Sequence, residues 1–254
     1  MKIIRILLIT AFVAPIFGFS QTTQGEIQFD ETINLHKRIP PEREQFKEMI
    51  PEFRSFAKVL YFNEEVSSWQ SSEREIEGQE PMGGGPGGGR MRMRFAGAGG
   101  GMNSNVFTNH KEGTRVDQRD MFDKQFLVTG EPEAFEWKVN PEQKQVLDYI
   151  CMKATFQDSS RKIVAWFTPQ IPVSAGPGRL GGLPGMILEV DYNDGERMVK
   201  AVSVSEEAPE PETLVAPKKG KKVTEEEFRE IREEKIKEFR EMNGGGGRRT
   251  IRIN

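Results

Sequence analysis

Residues 179–190 read RLGGLPGMILEV, an apolar, strand-like run that begins with Gly181-Gly182 and is broken by Leu183-Pro184-Gly185. A turn breaker inside an apolar run means that the chain makes a corner and then dives into a buried strand. Gly181 and Gly182 let the chain turn back after the Gly176-Pro177-Gly178 loop, and Pro184 fixes a non-helical approach. Gly185 permits close backbone approach or a positive φ, after which Met186, Ile187, Leu188 and Val190 continue as a strand. The segment has two readings: a structural corner that seeds a sheet, or a binding lip beside one.

The flanking sequence extends the strand pattern both ways. KIVAWFTPQIPV (162–173) precedes the corner, GMILEVDYN (185–193) leaves it, and RMVKAVSVS (197–205) follows an Asn193-Asp194-Gly195 turn. Upstream, GEIQFDETINLHKRI (25–39), FAKVLYFNEEVSSW (56–69), KQFLVTG (124–130) and KQVLDYICMKATF (144–156) carry the same aromatic and β-branched character. Short strands joined by compact turns pair with their neighbours antiparallel, because parallel pairing needs long crossovers. The expected fold is therefore mainly β: a single antiparallel meandering sheet, an open sheet or half-barrel, with one or two peripheral helices.

The helical candidates are PPEREQFKEMIPEF (40–53), with Phe46, Met49, Ile50 and Phe53 at helical spacing until Pro51 ends or kinks it, and residues 223–243. The second begins with Thr224 and Glu227 in capping-box spacing and carries Phe228, Ile231, Phe239 and Met242 on one stripe. Glu225 with Arg229 and Glu233 with Lys237 are the expected i,i+4 pairs. Such a narrow stripe on a charged helix packs lightly on a surface.

Low-complexity segments divide the rest. Residues 79–113 hold EPMGGGPGGGRMRMRFAGAGGGMNSN, too rich in glycine to offset its own ordering, and are expected to be a Gly/Met-rich disordered insertion. Residues 206–222 read as a Pro/Lys linker and 244–254 as a flexible basic tail, leaving an antiparallel β domain over 21–205. The first twenty residues have Lys2 and Arg5, an apolar stretch and small residues up to Ser20, the layout of a signal peptide cleaved after Ser20. The mature chain is then exported, with no transmembrane span, to the periplasm or the outer-membrane periphery.

DYICMKATF (148–156), AWFTPQIPVSAGPGRLGGLPGMILEV (165–190) and KKVTEEEFREIREEKIKEF (221–239) together resemble the GLPGLI family of secreted bacterial envelope proteins, and LYFNEEVSSW (60–69) is similar to that family's first-half pattern. The hexapeptide is Gly182, Leu183, Pro184, Gly185, Met186 and Ile187, with Met186 where the family has leucine, a volume-conserving change. Trp166 belongs to the same pattern. The resemblance covers most of Glu26 to Phe239 and implies a compartment without implying a reaction, since the family has no established activity.

Chemistry is sparse in the residues themselves. The net charge of −3, with both signs interspersed, excludes the basic field that nucleic-acid binding requires. One cysteine, Cys151, permits no internal disulfide, and its alternating context makes it a small buried hydrophobe rather than a reactive thiol. The only histidines are His36 and His110, with no nucleophile signature beside either. His110 with Asp117, Asp120 and Asp123 offers weak metal spacing, for which a solvated loop is the plainer reading. Met82, Met91, Met93 and Met102 of the insertion form a set of soft thioethers suited to Cu(I), although the interleaved arginines oppose a cation. No catalytic residues and no cofactor are expected. The leading expectation is a non-enzymatic binding or accessory protein whose partner is an outer-membrane or periplasmic protein; copper binding and an unrecognised hydrolase are the alternatives.

Overall fold

The computed structural model describes residues 22–76, 105–121 and 124–244. The chain first runs back and forth as β1 (Gly25–Asn34), β2 (Phe53–Phe62), β3 (Val66–Ser71), β4 (Asn105–Asn109), β5 (Thr114–Met121) and β6 (Lys124–Gly130), each antiparallel to the one before. A second meander follows: β7 (Lys138–Val146), β8 (Tyr149–Gln157), β9 (Lys162–Thr168), β10 (Met186–Tyr192) and β11 (Arg197–Ser205). Antiparallel pairing of β11 with β1 fuses the two, and β12 (Lys221–Thr224) joins β6, so the sheet order is β12-β6-β5-β4-β3-β2-β1-β11-β10-β9-β8-β7. The protein is mainly β, and the sheet stays open, with β12 and β7 as its edges.

The connectivity forces curvature. Residues 131–137 link β6, beside one edge, to β7 at the other. That link spans at most about 30 Å, whereas the strands it joins are separated along a flat sheet by about 48 Å at ~4.8 Å per strand. The sheet must therefore curl so that its two ends approach each other.

One buried row shows how the concave face is built. Cross-strand partners place Ile27, Leu60, Trp69, Val106, Asp117, Val128 and Val223 side by side across β1, β2, β3, β4, β5, β6 and β12. Every member of that row is buried, and every member but Asp117 is apolar. The opposite half of the sheet contributes Ala154, Ile163, Ala165, Phe167, Val190, Val199 and Ala201 to the same core.

The β9–β10 connection fills the space between the halves. Its side chains Ile171, Val173, Ala175, Leu180 and Leu183 join one core cluster with Phe29, Leu60, Trp69 and Val106 of the first meander. Full burial of each such side chain contributes roughly 1.5–3 kcal/mol for the larger ones. The turn-rich segment is thus a plug whose apolar residues give the curled sheet its interior.

Several local expectations change. Residues 105–113, inside the expected insertion, form β4 and the turn into β5, with Val106, Phe107 and Thr108 buried; this short strand is obscured in the sequence by the glycine run beside it. The expected linker 206–222 is also structured. Pro211–Leu214 is a 3-10 turn packed on β2 and β3, where Gln70 Nε2 donates to the Thr213 carbonyl at 3.1 Å, and Lys221 and Lys222 belong to β12. β12 runs parallel to β6, the one parallel pair among the described residues, as the long connection from β11 permits.

KQVLDYICMKATF contains a hairpin rather than one strand: β7 turns into β8 at Leu147 and Asp148, Leu147 having φ 51°. Residues 41–49 form 3-10 turns broken at Arg43, and Phe46 and Met49 remain exposed, so there is no buried face to hold an α-helix. The helix α1 (Glu225–Gly244) starts with the expected capping box: the Thr224 amide donates to Glu227 Oε2 at 2.8 Å and the Glu227 amide donates to Thr224 Oγ1 at 3.2 Å. Phe228 is buried on Phe126, ring centroids 5.4 Å apart, with Val128, Val223 and Ile231 around them. Phe239 and Met242 of the expected stripe have side chains outside the described set, as do residues 1–21 and 245–254 in full. Among the described residues no helix is long and apolar enough to cross a membrane.

Candidate functional site

Asp117 stands in the apolar row of β5 between Val106 and Val128, and its side chain is 1% exposed. A carboxylate there must be compensated by charge and hydrogen bonds. Arg115 and Arg119, two residues to either side on the same strand, share its face. Arg115 Nε lies 3.0 Å from Asp117 Oδ1, too far out of line for a hydrogen bond, while an Arg119 Nη2 hydrogen bond reaches Oδ2 at 3.0 Å. The third partner is Arg179, the first residue of RLGGLPGMILEV, which ion-pairs with Asp117 Oδ2.

The same three guanidinium groups meet a second carboxylate, Glu225, at the start of α1. Its Oε2 lies 3.5 Å from Arg115, 2.7 Å from Arg119 and 3.0 Å from Arg179, and Arg119 Nη1 also donates to Oε1 at 3.0 Å. The Glu225 side chain is 52% exposed. Arg119 further stacks over Phe228, 4.7 Å from the ring centroid. A cavity of about 390 Å³ opens beside this cluster, lined by Arg119, Glu225, Glu226, Phe228, Arg229 and Arg232. The expected Glu225–Arg229 helix pair does not form, because Glu225 is drawn into the cluster; Arg229 pairs with Glu226 at 3.0 Å instead.

The GLPGMI corner lies close by in sequence and differs in character. Leu183, Met186 and Ile187 are buried, with Met186 and Ile187 fully so, while Gly182 and Pro184 face outward. Gly185 has φ 148°, its amide donates to the Leu183 carbonyl at 2.8 Å, and a Cβ there would come within 2.7 Å of the Thr168 carbonyl carbon. The Met186 amide donates to Ile171 and the Ile187 amide to Ala175, both at 2.9 Å, which docks the new strand on its own plug. Gly182, at φ 80°, sits beside Trp137, whose Nε1 donates to the Gly181 carbonyl at 2.8 Å. Trp137 stacks on Phe135, both from the β6–β7 link, so that link is fastened to the corner.

The remaining sequence candidates separate. Trp166 is half-buried on β9 with Lys144 Nζ 4.4 Å from its ring, away from the arginine cluster. His110 bonds to Ser67 Oγ at 3.0 Å, and burial holds its imidazole below the ordinary value. Asp117, read in the sequence as part of a solvated loop, is instead a buried strand residue, and Asp120 on the same strand is exposed. Asp123, Met82, Met91, Met93 and Met102 lie outside the described residues, and no group of three metal-ligating side chains occurs among the described ones. Burial pushes the Cys151 thiol up to about 12.

A second buried polar group lies deeper in the concave face. Arg197 Nε pairs with Glu31 at 2.7 Å and stacks on Tyr192, and Lys58 donates to Ser71 Oγ at 3.1 Å. Burial pushes the Lys58 ammonium below its ordinary value, offset in part by Glu31. The pairs that a single sequence cannot reveal are those of Asp117 and Glu225 with Arg179; the one local signal was an alternating R-x-D-x-R across β5.

A family described as "Protein of unknown function (Porph_ging)" matches residues 158–189. That stretch holds Trp166, the plug, Arg179 and the GLPGMI corner. No curated protein matches the chain. Among solved structures, "Structure of PNGF-II in C2 space group" aligns with a TM-score of 0.54 at 14% identity, covering 82% of this chain and 32% of that one. "Structure of PNGF-II in P21 space group" aligns at 0.52 and 15%, covering 82% and 33%. The chain spans about a third of the length of these neighbours, and at this identity the likeness is one of fold.

Proposed function

We propose that the chain is a non-enzymatic binding or accessory module of the GLPGLI type, exported with cleavage after Ser20 and acting on an outer-membrane or periplasmic protein. The observation that supports this reading best is how the concave face is used. The space that a curled sheet would offer a substrate is filled by the chain's own plug, Ile171 to Leu183, so recognition falls to the outer surface and the rim. The corner residues Leu183, Met186 and Ile187 then act by building that surface, with Gly182, Pro184 and Trp166 nearer to solvent.

Crosslinked pull-down from intact envelopes with tagged mature protein tests the reading. A defined envelope protein should be recovered with the wild-type chain and lost with Gly185→Val, which disrupts the corner. Intact-mass measurement of the same material should show Gln21 as the first residue. Recovery of an uncut cytoplasmic chain, or of nothing beyond a tag-only control, overturns it.

A further inference from the structure

Three guanidinium groups converge on one oxygen, Oε2, of the half-exposed Glu225 side chain, while one buried carboxylate, Asp117, holds them from below. Without Glu225 the cluster carries three positive charges against one negative charge. Arg115 and Arg119 are fixed on β5 and mostly buried, and Arg179 is tethered by the packed plug. The donors are thus held in place before any ligand arrives, which lowers the ordering cost of binding. The planar guanidinium of Arg119 engages both Glu225 oxygens, the two-point geometry by which arginine recognises carboxylates.

Glu225 itself is replaceable. Its backbone is secured on either side by β12 pairing and by the Thr224–Glu227 capping box, so releasing its carboxylate requires side-chain rotation alone. The adjoining cavity, about 390 Å³, gives access from solvent, and its Phe228 ring and the Arg232 side chain offer an apolar wall and a further cation. Glu226 is occupied by Arg229.

We infer that Arg115, Arg119 and Arg179 form a recognition site for the carboxylate of an acidic peptide segment, and that Glu225 occupies this site as an internal competitor. The inference rests on the reading of the chain as a binding module and names the chemistry of what that module takes. An internal carboxylate at high effective concentration weakens an external one and sets a threshold, so that a segment with several adjacent acidic residues binds where a single one does not.

The test uses the full mature chain and a fluorescein-labelled tetraglutamate peptide, with binding read by fluorescence anisotropy. Glu225→Gln should bind at least tenfold more tightly than wild type. Glu234→Gln, which changes net charge equally at an exposed position of α1 outside the cavity lining, should not. Adding Arg119→Gln or Arg179→Gln to Glu225→Gln should abolish the gain, with circular dichroism showing which double variant keeps its fold; Arg179 lies on a loop and serves if the Arg119 change does not fold. The inference is overturned if Glu225→Gln binds no tighter than wild type or no tighter than Glu234→Gln, or if a folded double variant keeps the gain. Such a result alongside a successful envelope pull-down would remove this site and leave the binding-module reading standing.

Discussion

Arg179, two residues before the Gly181-Gly182 turn, is ion-paired with Asp117 of β5, although β4, β3, β2, β1 and β11 lie between β5 and β10 in the sheet. This contact closes the curl: it ties the plug of the second meander to a strand near the far edge of the first. Glu225 adds α1 to the same clasp. Asp117 is therefore the point at which three separate parts of the chain are held together.

Removing that point should be costly. Asp117→Asn leaves three guanidinium groups with one half-exposed counter-charge, and breaking a buried ion pair from one side destabilises by about 3–5 kcal/mol. Arg179→Gln, at a partly exposed position, should cost about 1 kcal/mol, and that loss should shrink at high salt. Urea unfolding of the two variants at low and high ionic strength checks the order. Equal, small effects would mean that the clasp contributes nothing to stability.

The corner makes a sharper prediction, because two of its glycines differ. At Gly185 a side chain would strike the Thr168 carbonyl, so Gly185→Ala should destabilise by about 3 kcal/mol or more. At Gly182 the nearest heavy atom to a Cβ would be Trp137 Nε1 at 3.8 Å, and only the positive φ opposes substitution. Gly182→Ala should cost about 1–2 kcal/mol. Thermal melts of both variants suffice to compare them.

Trp137 reports on the attachment of the β6–β7 link. Trp137→Phe keeps an aromatic ring against Phe135 but loses the part-buried hydrogen bond to Gly181, and should cost about 1 kcal/mol. Amide exchange at the corner, followed by mass spectrometry, should quicken in this variant before global stability changes much.

Cys151 predicts a pH effect of definite sign. Its folded pKa, about 12, lies above the ordinary thiol value of 9.0 because burial disfavours the thiolate. The unfolded chain therefore loses this proton first, and the contribution, intact below pH 9, falls away as pH rises from about 9 towards 12. Comparing wild type with Cys151→Ala isolates the effect: the wild type should lose stability more steeply over that window. In the native protein Cys151 should react with a disulfide reagent at pH 8 only as fast as it opens.

Features that depend on neighbours along the chain were legible in the residues. Alternating apolar residues mark β1, β2, β9, β10 and β11, the Asn193-Asp194-Gly195 turn joins two of them, the Gly-Leu-Pro-Gly corner announces its break, and Thr224 with Glu227 caps α1, because each is decided by backbone preference and hydrogen bonds within a few residues. The rest depends on contacts between segments far apart in the chain. β4 is five residues beside a glycine run, β12 is four residues with two lysines, and both are strands only because β3, β5 and β6 supply hydrogen-bonding edges. Asp117 looks solvated in DQRDMFD and becomes buried because the curl brings Arg179 and Glu225 to it from 62 and 108 residues away. A buried charge is tolerated only with its partners, and partners this distant in sequence meet only when the open sheet has curled around its plug.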